Sequence, residues 1–194
     1  MEREHITPQG VSVFHDKNEN IHSFCLCLYV RAGSLFETKE NNGISHFFEH
    51  IVFKNIHYQM GENLYQTLDR CGLDFNASTY EEFIQFIITG APAHFEEAAE
   101  ILTGIFEPIT LPEEKIAWKN TSLERTITGK KKTLDKIKGK QLRKFQKEVL
   151  SSNNIFFYIS GNYPETAVVT VTKLMENYPL TVMKKERKNL APVP

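Results

Sequence analysis

Residues 82–89 (EFIQFIIT) alternate with a period of two, and both alternating sets are largely apolar: Phe83 and Ile87 on one side, Ile84, Phe86 and Ile88 on the other. A half-solvated strand shows one polar face, so this pattern suits a strand covered on both sides. Residues 21–30 (IHSFCLCLYV) are apolar and rich in strand formers and predict a second strand, with 11–14 expected to pair with it. Residues 74–79 (DFNAST) are expected to run antiparallel to 82–89, and 154–160 supply a further strand.

Helical patterns separate these strands. A helix is expected from Gly43 to about Asn55, where Ser45, Phe48 and Val52 recur at helical spacing, as do Ile44, Phe47 and Ile51. Residues 61–71 set Leu64 and Leu68 four apart on one face, and Gly72 follows as a stop signal. Residues 93–106 carry acidic side chains near their start, which suits the helix dipole. Pro112 followed by Glu113 and Glu114 opens a helix expected to reach about Thr126. Two more are expected, one ending near Leu150 and one over 164–177. Strands and helices mix without strict alternation, which predicts an α+β fold with one mixed or antiparallel sheet covered by helices. We expect a single domain over 1–183 and a basic, proline-containing tail or linker over 184–194.

Composition narrows the functional classes. A net charge of -1 offers no global field for nucleic acid or an acidic membrane. No apolar run reaches the roughly 18 residues of a transmembrane helix, and the charged start MEREHITPQG lacks a signal-peptide core. The expectation is a soluble, cytoplasmic protein with neither nucleic acid nor membrane as partner. Cys25, Cys27 and Cys71 make no disulfide framework. Cys25 and Cys27 face one side of a strand, as a metal or redox pair or simply as small buried residues. The basic stretch 130–147 reads as a solvated helix face or as a patch for acidic peptides or a partner chain. His5, His15, His22, His57 and His94 have no partner at ligand spacing.

Residues 46–50 read His-Phe-Phe-Glu-His. On a helix, positions i and i+4 stand one turn apart on the same face, so His46 and His50 can reach one zinc ion at about 2.0–2.1 Å. Glu49 lies at i+3 from His46, near the same rim, where a carboxylate can take a proton from water activated by the metal. This is the inverted order H-x-x-E-H.

The flanking sequence extends the pattern. Ala32-Gly33-Ser34 follows the strand, Glu37 and Gly43 precede the helix, and Phe53-Lys54 follow the second histidine; Gly72 with Asn76-Ala77-Ser78-Thr79 comes next. Together these resemble the active-site signature of the insulinase or pitrilysin family of metallopeptidases, M16, in the same order and over most of the chain. The resemblance implies zinc held by His46 and His50, Glu49 as general base, and a third ligand from a glutamate on a later helix. Glu124 lies close to that position, two residues short of Thr126, which an ungapped alignment through Pro112 selects; Ala117 and Trp118 stand where the family carries an accessory glutamate. It also implies that Asn76 and Ala77 bond the main chain of a peptide substrate lying as an added strand. The family encloses its substrate between two halves, and this chain resembles only the first domain of one. A second M16-like subunit, as hetero- or homodimer, is therefore the implied partner. The expected function is a zinc-dependent endopeptidase subunit acting on peptides or peptide precursors; the alternative is a non-catalytic M16-like binding or assembly subunit.

Overall fold

The computed structural model describes residues 2–116 and 136–183. Six strands, β1 (Arg3–Ile6), β2 (Ser12–Lys17), β3 (Phe24–Val30), β4 (Asp74–Thr79), β5 (Ile84–Gly90) and β6 (Ile155–Gly161), form one sheet in the order β1-β2-β6-β3-β5-β4. Only β2 and β6 run parallel, so the sheet is mixed and the fold is α+β, as expected. The helices are α1 (Ile44–Met60), α2 (Asn63–Cys71), α3 (Phe95–Thr103), α4 (Glu113–Ile116), α5 (Gly139–Val149) and α6 (Ala167–Met175).

The expected pairing of 11–14 with 21–30 is corrected. β6 inserts between them, pairing Val13 with Phe157 on one side and Leu28 with Phe157 on the other. Insertion of a distant strand depends on long-range packing, to which local alternation is blind. β1 was not anticipated either, because its residues are exposed throughout and carry no apolar signal; it survives as an edge strand.

The pleat divides the sheet into two faces. Phe24, Leu26 and Leu28 of β3, Ile84, Phe86 and Ile88 of β5, and Phe157 and Ile159 of β6 are all buried beneath the helices. On the opposite face Cys25, Tyr29, Gln85, Ile87, Tyr158 and Ser160 are only half-buried. Full cover on both sides of 82–89 is therefore found on one side only. On the other, aromatic rings pack on one another: Tyr29 stacks on Phe156 at 4.7 Å, and Phe83 tilts against Tyr80 at 4.6 Å.

α1 crosses the buried face and organises it. Phe47, Phe48, Ile51, Val52 and Ile56 are almost wholly removed from water, each burial contributing about 1.5–3 kcal/mol. Phe48 meets Phe145 of α5 edge-on, and Phe53 lies against Phe75 of β4. The helix runs beyond Asn55 to Met60 and stops at Gly61, whose φ of 60 favours glycine. Gly33 has a different reason. A Cβ there would meet the carbonyl oxygens of Glu81 and Tyr80 at 2.3 and 2.4 Å, so only glycine lets the chain pass from β3 towards α1.

Two buried amides hold the segment that leads to α4. Asn55 donates to the Pro108 carbonyl and accepts from the Thr110 N–H. Gln146 of α5 donates to the carbonyls of Ile105 and Glu107 and accepts from the Ile109 N–H. The described part of the basic stretch is solvated: Lys136 and Lys138 ahead of α5 and Lys140, Lys144 and Lys147 on it are exposed, while Leu142, Phe145 and Val149 are buried in the core.

Candidate metal centre

The first turn of α1 has no side-chain cap of its own, because Gly43 occupies the N-cap with φ 90. Buried Glu37 supplies the acceptors instead. Its carboxylate takes the N–H groups of Gly43 at 2.6 Å and Ser45 at 3.0 Å. Two helix-start donors are thereby satisfied, with negative charge at the positive end of the helix dipole. The anchored helix then buries Phe47 and Phe48 and turns its next face, with His46 and His50, towards the rim, where both are half-buried.

His46 Nε2 and His50 Nε2 stand 2.7 Å apart, with ring centroids 4.6 Å apart. A carboxylate oxygen of Glu49 lies within 4.8 Å of both ligand nitrogens. Glu49 is 7% exposed, and the Thr79 hydroxyl of β4 donates to its Oε2 at 2.5 Å. The Glu49 carboxylate is thus held from the sheet side while the histidines are held from the helix. Burial, aided by the nearby charges of His46 and Lys54, pushes the His50 imidazole down to about 4. His50 is therefore neutral at physiological pH, the form in which imidazole binds metal.

This donor set fits zinc. Two imidazole nitrogens face each other at hydrogen-bond distance, half open to solvent, and need only part to about 3.3 Å to share one tetrahedral ion; a buried carboxylate stands beside them, and zinc accepts both donor types. The order of disposition, two ligands one turn apart and a carboxylate between them, follows directly from helical spacing.

The remaining expected residues fall as follows. β4 is the terminal strand of the sheet and runs beside the histidine pair, so Asn76 and Ala77 lie on an edge strand next to the cluster. Asn76 is exposed, and its Oδ1 accepts the Ala77 N–H at 2.8 Å. Glu124, Thr126, Ala117 and Trp118 lie outside the described residues, as does the tail over 184–194. His57 is exposed and packs on Tyr65, away from any ligand role. The Cys25 and Cys27 sulfurs are 3.5 Å apart on the open sheet face; the hydrogen bond from Cys27 draws the Cys25 thiol down to about 7.

Two features were missed in the sequence. Thr79 was read only as part of a motif, and its grip on Glu49 spans 30 residues. His94 was read as lacking a partner, yet it faces Glu97 and Cys71. The i,i+3 spacing of His94 and Glu97 was available as a signal; nothing local points to Cys71.

The family model "Insulinase (Peptidase family M16)" matches residues 12–149. An uncharacterized zinc protease, YmxG, of Bacillus subtilis (strain 168) is 25% identical over 198 residues, covering 87% of this chain and 48% of that protein. The mitochondrial-processing peptidase subunit beta of Rattus norvegicus is 27% identical over 155 residues, covering 65% of this chain and 32% of that protein. Among solved structures, a peptidase M16 inactive domain from Pseudomonas fluorescens matches with a TM-score of 0.79 at 13% identity, over 97% of this chain and 53% of that one. The periplasmic protease PqqL from Escherichia coli matches with a TM-score of 0.78 at 17% identity, over 97% of this chain and 25% of that one. The chain thus spans about half the length of the Bacillus relative and of the Pseudomonas fluorescens domain, and less of the other two. Its described residues include no helix long and apolar enough to cross a membrane. By a family match that covers most of its length, this chain belongs to the insulinase family of peptidases, M16.

Proposed function

We propose that this chain is a zinc-dependent endopeptidase subunit acting on peptides or peptide precursors, built as one catalytic domain over residues 1–183. The observation that carries the proposal is the convergence of His46, His50 and buried Glu49, with Glu49 clasped by Thr79. A domain with only a scaffolding role has no physical use for a carboxylate held beside two imidazoles one helical turn apart. In this reading His46 and His50 hold zinc and Glu124 supplies the third protein ligand. Zinc, when bound, lowers the pKa of water to about 7 and polarises a carbonyl.

The chain's own residues do the rest. Glu49 takes a proton from the attacking water and can return it to the leaving amine, as general base and then acid. Thr79 fixes the carboxylate so that little reorganisation is needed. Asn76 and Ala77 offer main-chain groups to an extended peptide added along β4, the peptide displacing the Asn76 side chain from the Ala77 N–H. The site lies on an open surface, and a peptidase must exclude water and stabilise the developing oxyanion. A second M16-like subunit, identical or different, is proposed to close it. We place the protein in the cytoplasm, where its free Cys25, Cys27 and Cys71 would stay reduced.

A non-catalytic binding or assembly role is the second reading, supported by the likeness to a domain described as inactive. Elemental analysis separates the two when combined with peptide cleavage by the chain alone and with an M16-like partner. The endopeptidase reading expects about one zinc at this centre, lost in Glu124→Ala, and cleavage that requires the partner. Zinc content as high in Glu124→Ala as in the parent removes that residue from the ligand set. Absence of zinc after reconstitution overturns the catalytic reading, and strong cleavage by the dilute chain alone overturns the need for a second half.

A further inference from the structure

Cys71, the last residue of α2, faces His94 and Glu97 at the start of α3. The three ligand atoms lie within 4.8 Å of one another, well separated in sequence from the His46–His50 centre. His94 Nδ1 is 3.5 Å from Glu97 Oε1, and Cys71 Sγ is 3.9 Å from the same oxygen. Both separations are long for hydrogen bonds. They are close to what one ion demands: ligand atoms about 2.0–2.3 Å from a tetrahedral zinc stand about 3.3–3.6 Å apart. Burial has the matching asymmetry. Cys71 is 4% exposed, whereas the His94 and Glu97 side chains are 36% and 34% exposed. The sulfur comes from the core side and the other two donors from the rim, which leaves a path for an ion to enter.

We propose that Cys71, His94 and Glu97 form a second zinc site, with three protein ligands from two helices and a fourth position open to solvent or to a ligand from another molecule. Thiolate, imidazole and carboxylate together suit zinc rather than magnesium or calcium, which take oxygen alone. The opposing influence is Arg70, whose charge also acts on Glu97 and competes with an ion for the carboxylate. The site's position gives it a consequence. Cys71 leads through Gly72 and Leu73 into β4, and His94 ends the turn that follows β5. An ion bridging them ties together the open end of the β4–β5 hairpin, where Asp74 pairs with Thr89. It thereby stiffens the edge strand that carries Thr79, Asn76 and Ala77.

The test uses the full chain as H46A/H50A, which removes the first centre and makes the outcome independent of the proposed peptidase activity. Cobalt(II) is the probe, because thiolate ligation gives a near-ultraviolet charge-transfer band, followed by displacement with zinc. The expected result is one such band and about one zinc per chain, both lost on adding C71S and strongly weakened by H94A or by E97Q. His94 and Glu97 are only half-buried, which keeps the test valid should C71S fold poorly. A band that survives C71S but vanishes in C25S/C27S belongs to the strand pair and overturns the proposal. So does the absence of any thiolate band in H46A/H50A, or zinc binding unchanged by H94A and E97Q.

Discussion

The two clusters of potential metal ligands are built by different means. His46, Glu49 and His50 fall within five consecutive positions of one helix, so helical geometry alone brings them together. Cys71, His94 and Glu97 come from the end of one helix and the start of another, with a whole hairpin between them. Support differs as well. The first cluster sits on α1, whose start is fixed by Glu37, whose inner face is core, and whose Glu49 carboxylate is held from β4 by Thr79. The second relies on Cys71 being buried and on one turn of α3. A preorganised site costs little to complete with an ion, whereas a loosely held one must be ordered as it binds. The first cluster should therefore bind zinc more tightly, and the second should depend more on its surroundings.

The comparison can be broken most sharply at Glu49. Glu49→Gln should lower peptide cleavage in the presence of a partner by about 10²–10⁴-fold, with zinc content unchanged. Simultaneous loss of zinc would make Glu49 a ligand and erase the distinction between holder and base. For the second cluster, free zinc at 100 times its Kd should stabilise H46A/H50A by about 2.7 kcal/mol. Urea unfolding should show this gain shrink sharply in H46A/H50A/H94A at the same free zinc; an undiminished gain would locate the ion elsewhere.

Glu37→Ala should sharpen the contrast in support. It leaves the buried N–H groups of Gly43 and Ser45 without their acceptor, at a cost of about 1–3 kcal/mol for an unsatisfied group, read as a lower urea midpoint. Zinc affinity at the first centre should fall, while the cobalt–thiolate band of the second should not change. Equal loss at both would show that the two sites share one cooperative unit. The smallest effect is expected from Thr79→Val, which frees the Glu49 carboxylate without altering volume much. About a tenfold fall in kcat, equivalent to about 1.4 kcal/mol, with KM and zinc content preserved, would identify Thr79 as a positioning residue. An unchanged kcat would show that Glu49 is held well enough by burial alone.

Much of the architecture was legible before any coordinates. The hairpin of β4 and β5, the start of α1 at Gly43, the stop after Cys71 and the last strand all follow from alternation, helical spacing and turn residues. Each depends on neighbours a few positions away. The order of the sheet was not legible, since β6 enters between β2 and β3 from the far end of the chain and leaves no mark on either. The one-sided cover of β5 was also hidden: apolar residues at Phe83 and Ile87 announce that a face avoids water, but not whether helices or neighbouring aromatic rings shield it.

The same division runs through the sites. By itself the sequence determined the family, the α+β class and the pairing of His46 with His50 and Glu49, because a helix converts a spacing of four into proximity. Tertiary structure alone decided that Thr79 holds the Glu49 carboxylate, that Glu37 caps the start of that helix, and that Cys71 meets His94 and Glu97. Those contacts join elements whose relative positions are set by how the whole core packs, and no local periodicity encodes that packing.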